Sequence, residues 1–406
     1  MRPLHVLLLN QYFPPDTAAT AGCAALIANV LAERHRVTVL AGRPSYDPVN
    51  HHSRYIFKEE LDGNLAIGRV GSTAFPRRRM KGRLSNYFSY LALAGPRAVS
   101  INADLVLAMT DPPIEGIFGA AVAKFLGRRF VYNIRDLYPD VALAANIVRP
   151  GLWTAAWEDS HRRALRQAAR VIVLGEDMRE RIAAKGIDPA RVTVIRDAVP
   201  FPEIIPRPDE NIVRDIRGAF RFVLVHAGNL GFSGSWLTLI RATQMLEAEN
   251  VGLVFVGEGA MKKQVQQFAQ NCGNVRFLPF RPASDLSAVM AAGDLHVVTI
   301  RRGLEGMVVP SKMYNILAHG RPILSVASKD ADVSRLACQY GFGFVVDPDD
   351  PIEIAQVVRS VLNAPDRLRS MSHQARKLAK IFERSRELAK FVDVIEEVGN
   401  QHRFRE

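Results

Sequence analysis

Lys312 stands at a junction suited to anion binding. An apolar run ends at Ile300, a loop containing Gly303 and Gly306 follows, and Val309-Pro310-Ser311-Lys312 leads into helix-forming residues that stop at Gly320-Arg321-Pro322. A helix start offers unpaired amides and a partial positive charge. A lysine in that first turn opposes the macrodipole, a local cost that a bound diphosphate would offset; the plainer alternative is a solvated surface lysine. Ser311 reads as the N-cap, although Pro310 at the first helical position would move the cap one residue back. A second phosphate-type segment is His226-Ala227-Gly228-Asn229-Leu230-Gly231-Phe232-Ser233-Gly234-Ser235, with three glycines in seven positions behind an apolar run. It matches neither the Walker A pattern nor the dinucleotide fingerprint. Gly257-Glu258-Gly259 closes the next run and by itself is an ordinary tight turn.

Two further segments follow apolar runs nearer the start. Asn10 to Gly22 includes Asp16, Thr17, Ala18, Ala19 and Thr20, small or polar residues that let a backbone approach a bound group; a plain βα turn is the alternative. Arg135-Asp136 follows Phe130–Ile134. Asp136 could orient a hydroxyl, or could equally cap the turn at Leu137-Tyr138-Pro139. Thr110-Asp111-Pro112-Pro113 sits behind another run, and its aspartate reads as an N-cap.

The elements that must position these residues alternate. Strands are expected at Leu4–Leu9, Val37–Leu40, Leu65–Val70, Leu105–Met109, Phe130–Ile134, Val171–Leu174 and Val192–Ile195, then at Phe222–His226, Leu253–Val256, Val275–Leu278, Leu295–Ile300, Ile323–Val326 and Gly343–Val346. Between them lie helical patterns such as Ala24–Leu31, Leu152–Ala168, Trp236–Leu246 and Met313–Ala318. Apolar strands without alternation, each followed by a helix, predict parallel sheets covered on both faces. Four prolines within residues 200–208 interrupt the pattern, which then restarts. The reading is two doubly wound domains, 1–200 and 211–384, facing across a cleft, with residues 385–406 as a C-terminal helix that returns to the first domain. Such sheets bind ligands beyond the carboxyl ends of their strands.

Charge favours an anionic partner. The 406 residues carry a net charge of +12, and residues 1–200 hold +9 of it (27 basic against 18 acidic). From Gly63 to Ala103 there is no acid, yet the stretch holds Arg69, Arg77, Arg78, Arg79, Lys81, Arg83 and Arg97, with Tyr87, Phe88 and Tyr90 close by. Basic residues beside an aromatic, apolar segment suit an anionic membrane surface, where each contributes about 1 kcal/mol; a solvated loop and a core-facing helix are the alternative. Arg77, Arg78, Arg79, Lys81 and Arg83 are the membrane-facing candidates. Nucleic acid is excluded as a partner by the lack of a recognisable module. No run approaches the ~18 apolar residues of a membrane span, and the opening apolar run is too short for a secretory signal. Cys23, Cys272 and Cys338 are far apart, so neither a disulfide framework nor a zinc cluster is expected, and the composition points to a reducing cytosol.

Taken in order, Tyr12-Phe13-Pro14-Pro15-Asp16, Arg135-Asp136-Leu137-Tyr138-Pro139-Asp140, Val171-Ile172-Val173-Leu174-Gly175-Glu176-Asp177-Met178, Ala227-Gly228-Asn229-Leu230-Gly231 and Val309-Pro310-Ser311-Lys312-Met313-Tyr314 resemble glycosyltransferase family 4 over nearly the whole chain. These are retaining sugar-nucleotide transferases of the GT-B fold, and the most similar branch assembles bacterial capsule, O-antigen and colanic acid. The resemblance implies a UDP-sugar donor, a polyprenyl-diphosphate-linked saccharide acceptor and a place at the inner face of the cell membrane. It assigns Arg135, Asp136 and Lys312 to catalysis. For the donor it implies Gly228, Asn229, Gly231, Ser233, Gly234, Gly257, Arg281, Glu305, Val309, Pro310, Ser311 and Asn315, and for the acceptor side Asp16, Thr17, Ala18 and Thr20. Phe280 and Arg281 would flank the base, although Phe280 also reads as core.

Departures from the family pattern are specific. Of its Glu-x7-Glu pair, the second position is Asn315 and the first is Met307, with Glu305 the nearest acid. Asn315 can hydrogen-bond a ribose hydroxyl, without charge assistance. The Arg and Lys of the glycine loop read Asn229 and Ser233, which leaves Lys312, Arg301 or Arg302 to supply positive charge. Arg135 stands at the family's frequent histidine. Without an Asp-x-Asp motif or a His/Cys cluster, neither metal nor cofactor is expected; the charge building on the leaving diphosphate falls to amides and cations. Two other readings stay open: a nucleotide-sugar epimerase of the same shape, and a low-activity membrane-associated subunit that binds the nucleotide sugar.

Overall fold

The computed structural model describes residues 2–45, 56–76, 80–199 and 205–403. By its internal contacts the chain divides into two units, Met1–Arg196 with Ser385–Glu406, and Asp197–Arg384.

The first unit is an eight-stranded sheet. Its strands are β1 (His5–Leu9), β2 (Arg36–Gly42), β3 (Phe57–Asp62), β4 (Leu65–Val70), β5 (Leu105–Ala108), β6 (Arg129–Asn133), β7 (Arg170–Val173) and β8 (Val192–Val194). They lie in the order β3-β4-β2-β1-β5-β6-β7-β8, and all neighbours are parallel except β3 and β4. Val6 to Leu9 are wholly buried, as a strand covered on both faces must be. The apolar runs locate seven of these strands to within two residues. The missed one, β3, has charges at Lys58, Glu59, Glu60 and Asp62 and pairs antiparallel with β4 at the sheet edge. An edge strand with two wet faces carries no apolar signal, and its charges block pairing with another chain.

The C-terminal helix Arg384–Arg403 belongs to this unit's core. Phe391, Val392, Val394, Ile395 and Val398 pack with Leu4, Val6, Leu8, Val37 and Val39. A Cβ on Gly399 would lie 2.4 Å from the Leu4 side chain, so the helix rests directly on the start of β1. The buried Glu387 carboxylate accepts the Arg196 amide at 2.9 Å, which fastens the helix start to the chain leaving β8.

The second unit is a six-stranded parallel sheet: β9 (Phe222–Ala227), β10 (Val251–Val256), β11 (Val275–Leu278), β12 (Leu295–Thr299), β13 (Ile323–Val326) and β14 (Gly343–Val346). The order is β11-β10-β9-β12-β13-β14. The chain therefore winds outward from β9 in one direction and from β12 in the other. Loops leaving the ends of those two neighbours diverge and open a crevice at that switch point. In the first unit the same reversal lies between β1 and β5. Of the proline-rich stretch, residues 200–204 lie outside the described residues, and the next helix is Glu210–Arg217, capped by Asp209 onto the Asn211 amide at 2.8 Å.

Candidate functional site

At the switch point of the second unit, the loops after β9 and β10 are bound to each other. The Gly228 amide donates to Val256 O at 2.9 Å, the Leu230 amide to Glu258 O at 2.9 Å, and the Met261 amide to Leu230 O at 2.9 Å. Gly228 has φ +126° and Gly257 φ +149°, conformations that disfavour a side chain. A Cβ on Gly257 would sit 2.2 Å from Gly228 O, and one on Gly259 would sit 2.4 Å from Leu230 O. These glycines are thus required for backbone to lie on backbone. Gly231 O accepts the Trp236 indole N–H at 2.8 Å, a Cβ on Gly234 would lie 2.2 Å from the Trp236 ring, and Ser233 O accepts the Arg301 amide at 2.6 Å. That last bond joins the glycine loop to the loop after β12.

Lys312 begins the helix Lys312–Ala318. Its Nζ lies 2.9 Å from His226 Nε2, and a Cβ on Gly228 would be 3.6 Å from the same nitrogen. Part of the side chain meets solvent, while its ammonium end is enclosed by His226 and the Gly228 turn. Loss of hydration pushes the ammonium down to about 7. Among the described residues no carboxylate pairs with it. His226 is wholly buried; burial first, and then the Lys312 charge, hold its imidazole well below the usual range, so it is neutral. The result is a cation with a neutral hydrogen-bond partner, beside a glycine turn at the switch point. Chemically such an arrangement can hold a negatively charged group.

Other donor candidates fare differently. Ser311 occupies the cap position but has helical φ and ψ (−60°, −20°) and makes no side-chain cap bond; a capping hydroxyl needs an extended backbone there. Asn315 is half-buried one turn on, its carbonyl bonded by His319 Nδ1 at 2.8 Å. Val309 and Pro310 are half-buried in the lead-in, and Asn229 is exposed on the glycine loop. Glu305 turns back onto its own loop and accepts the Gly303 amide at 2.7 Å. Arg281 sits behind the edge strand β11 and gives its guanidinium to Asp215 at 2.5 Å, with Asp285 at 3.7 Å. Phe280 beside it is 70% exposed, which overturns its reading as core. Arg302 is bound to Asp347 and Asp349, both at 2.6 Å, so its charge is already matched. Of the three cations considered for the diphosphate, Lys312 is the one with the geometry above.

In the first unit a polar cluster forms at the ends of β1, β5 and β6. Thr20, in the first turn of the helix Ala19–Ala32, donates to Asp111 Oδ2 at 2.5 Å, and Asp111 O accepts the Gln11 amide at 2.7 Å. Burial, followed by the charges of Asp136 and Asp111, raises the Tyr138 phenol; the Tyr87 and Arg83 side chains act on it as well. Arg135 is 9% exposed and Asp136 half-buried in the same loop. Asp16 is a tether here: its Oδ1 accepts the Ser45 amide at 2.8 Å, joining the loop after β1 to the segment after β2. Ala18 packs against Tyr12, Ala21 and Tyr87 and is not open to a ligand, whereas Thr17 is exposed. Below this rim Glu115 is wholly buried and shares a hydrogen bond with Tyr90 at 2.9 Å; burial raises its carboxyl well above the usual range, which keeps it neutral.

The basic stretch is thinner than its composition suggests. Arg77, Arg78 and Arg79 lie outside the described residues. Arg69 is 4% exposed and bonded to Pro14 O. Arg83 is half-buried, its guanidinium 3.4 Å from the Tyr87 hydroxyl. A guanidinium one helical turn from a tyrosine reaches its oxygen easily. Lys81 is exposed. What the sequence pattern hid is the apolar part: Phe75, Met80, Leu84 and Phe88 are 43–62% exposed. The last three are spaced by four along the helix Met80–Ser100 and share a face.

Sequence reasoning assigned no role to His226 or Tyr138, and it read Asp111 as an N-cap, whereas the cap position of the helix Glu115–Leu126 is Ile114 and the Asp111 carboxylate takes the Thr20 hydroxyl instead. For His226 the signal existed: it is the one polar side chain in the otherwise apolar run Phe222–Ala227. No comparable signal marked the others, because their meeting depends on which strands are neighbours.

Residues 18–198 match the family described as "Glycosyl transferase 4-like domain", and residues 221–378 match "Glycosyl transferases group 1". The chain is 26% identical over 304 residues to WbjE of Pseudomonas aeruginosa, named as a glycosyltransferase, a span of 71% of this chain and 74% of that one. It is 29% identical over 146 residues to WcaI of Escherichia coli (strain K12), named for colanic acid biosynthesis, covering 35% and 36% of the two chains. In fold it is similar to Anabaena HepE, solved in complex with UDP-glucose: TM-score 0.68, 18% identity, 97% of this chain and 100% of that one. Its two parallel-sheet units have the GT-B architecture.

Proposed function

The chain belongs to the family 4 glycosyltransferases, and from that premise we propose that it moves a sugar, with retention of anomeric configuration, from a UDP-sugar to a lipid-linked saccharide in the assembly of a bacterial surface polysaccharide. One observation carries the reading: a Lys312 ammonium without a carboxylate partner among the described residues, held against the Gly228 turn at the switch point. The names of WbjE and WcaI and the UDP-glucose bound to HepE support the same class of chemistry. In this reading the diphosphate lies on the Gly228–Gly234 loop and on Lys312. Asn315 takes a ribose hydroxyl. Lys312 and main-chain amides stabilise the charge that develops on the departing UDP, so the reaction asks for no metal. The first unit takes the acceptor, and Asp136, with Arg135 and the Thr20–Asp111 pair beside it, orients the acceptor hydroxyl.

Incubation of the purified chain with a panel of UDP-sugars and a polyprenyl-diphosphate-linked saccharide should release UDP and elongate the lipid-linked product. No transfer and no UDP release across the panel would sink the proposal, and an epimerised donor without acceptor would replace it with the epimerase reading.

We infer a place at the cytoplasmic leaflet, where Lys81 and the charges of Arg77, Arg78 and Arg79 would attract anionic headgroups and the exposed Met80, Leu84 and Phe88 would face the acyl boundary. Among the described residues no helix is long and apolar enough to cross a membrane. Replacing the three arginines with serine is expected to weaken binding to anionic vesicles by about 100-fold, at about 1 kcal/mol per charge, while UDP affinity stays the same. Unchanged sedimentation with those vesicles would remove the docking surface.

A further inference from the structure

A lysine that must attract an anion meets a design conflict. Left loose, it samples many rotamers; held by a carboxylate, it loses the charge for which it is needed. The second unit resolves this with a neutral acceptor. His226 lies on the central strand β9, wholly buried, with the Trp236 ring edge-on at 4.7 Å and the Phe255 ring at 5.9 Å. Burial, and after it the Lys312 charge, outweigh the backbone contacts from Asn229 and Val297 and keep the imidazole uncharged. In its ammonium form, below about pH 7, Lys312 can only donate, so the contact of 2.9 Å then takes a bare lone pair on Nε2 and a proton on Nδ1. Among the described residues the charged group that acts on His226 is Lys312, and no carboxylate or second cation faces the Lys312 ammonium.

We propose that His226 is a positioning residue for Lys312: its Nε2 accepts a hydrogen bond from the ammonium and holds it beside the Gly228 turn with no carboxylate sharing its charge. This rests on the reading of Lys312 as the diphosphate-binding cation. It explains why a histidine interrupts an apolar strand, and why the sugar-nucleotide loop can lack the family's own Arg and Lys at Asn229 and Ser233. The imidazole also sets how readily Lys312 holds its proton. Without an acceptor the desolvated ammonium is less stable, and it titrates at lower pH.

The test uses the full chain without nucleotide, labelled at lysine side-chain carbon and nitrogen, with the Lys312→Met spectrum identifying the Lys312 signals. His226→Leu removes the acceptor and His226→Gln keeps a neutral one. The Lys312 titration midpoint should fall by about 1 pH unit in His226→Leu, and UDP affinity at pH 7.5 should fall about tenfold. His226→Gln should restore most of both. A midpoint that stays in place in a folded His226→Leu chain overturns the proposal. Should that variant fail to fold, the wild-type imidazole decides at pH 6: a bare Nε2 with a protonated Nδ1 supports it, and the opposite tautomer overturns it. The diphosphate reading fails separately, if Lys312→Met binds UDP as tightly as the wild type.

Discussion

Lys312→Met is expected to lower kcat by about 10²–10³-fold and to weaken UDP binding by about 10–100-fold. Methionine keeps the length of the side chain, so the change removes charge and three donors while sparing most of the packing. The two magnitudes differ in origin. The ammonium meets two negative charges in the bound nucleotide, but it does more when the glycosidic bond breaks and charge concentrates on the leaving oxygen. The wild type should also carry a signature that the variant lacks. Desolvation holds Lys312 at about 7 in the ligand-free chain, so the cation is present below that pH and lost above it. UDP affinity should therefore fall as pH rises through about 7, and binding near pH 7.5 should take up protons because the diphosphate restores the ammonium. Calorimetry in buffers of different ionisation enthalpy reads this uptake directly. In Lys312→Met both the pH limb and the proton uptake should vanish. Lys58→Ala, at an exposed lysine bound to Glu60 2.9 Å away, should change neither. A variant at Lys312 with wild-type turnover would end the assignment.

Gly257→Ala should cost about 3 kcal/mol and lower the melting temperature of its unit by about 6–12 °C, with UDP binding lost. Two penalties combine. The backbone at φ +149° resists any side chain, and the new methyl would lie 2.2 Å from Gly228 O, a contact that only a backbone shift can relieve. That shift moves the turn beneath which Lys312 lies. Gly303→Ala separates the two terms. Gly303 has φ +89° in the loop after β12, and a methyl there meets nothing within 4 Å. It should cost about 1 kcal/mol, and the difference between the variants measures the loop-on-loop contact. Equal losses in melting temperature would mean that the contact carries no weight.

How much of this was legible beforehand varies element by element. The strands β1, β9 and β13 could be read from their largely apolar runs, interrupted in β9 by His226 and in β13 by Ser325, since a strand covered on both faces is mostly apolar. β3 could not, for it is charged and lies at an edge. Arg69 and Arg83 looked like surface charge because composition does not say which way a side chain turns. The structure buries the first against Pro14 and ties the second to Tyr87. Arg281 reads from the sequence as a base-flanking cation; its ion pair with Asp215, 66 residues earlier, is visible only in the tertiary structure.

The amino-acid sequence alone determined the repeated strand–helix order, the restart after the prolines, and the presence of glycines and one lysine behind particular strands. These depend on residues adjacent in the chain, where apolar period, turn chemistry and backbone freedom act. Tertiary structure decided that Lys312 meets His226 across 86 residues, that the Gly257 turn lies on Gly228, and that Thr20 reaches Asp111. Each of these follows from which strands become neighbours in the sheet, β9 beside β10 and β12, and β1 beside β5. Strand order is chosen by the packing of whole helices and sheets, so no local pattern of residues encodes it.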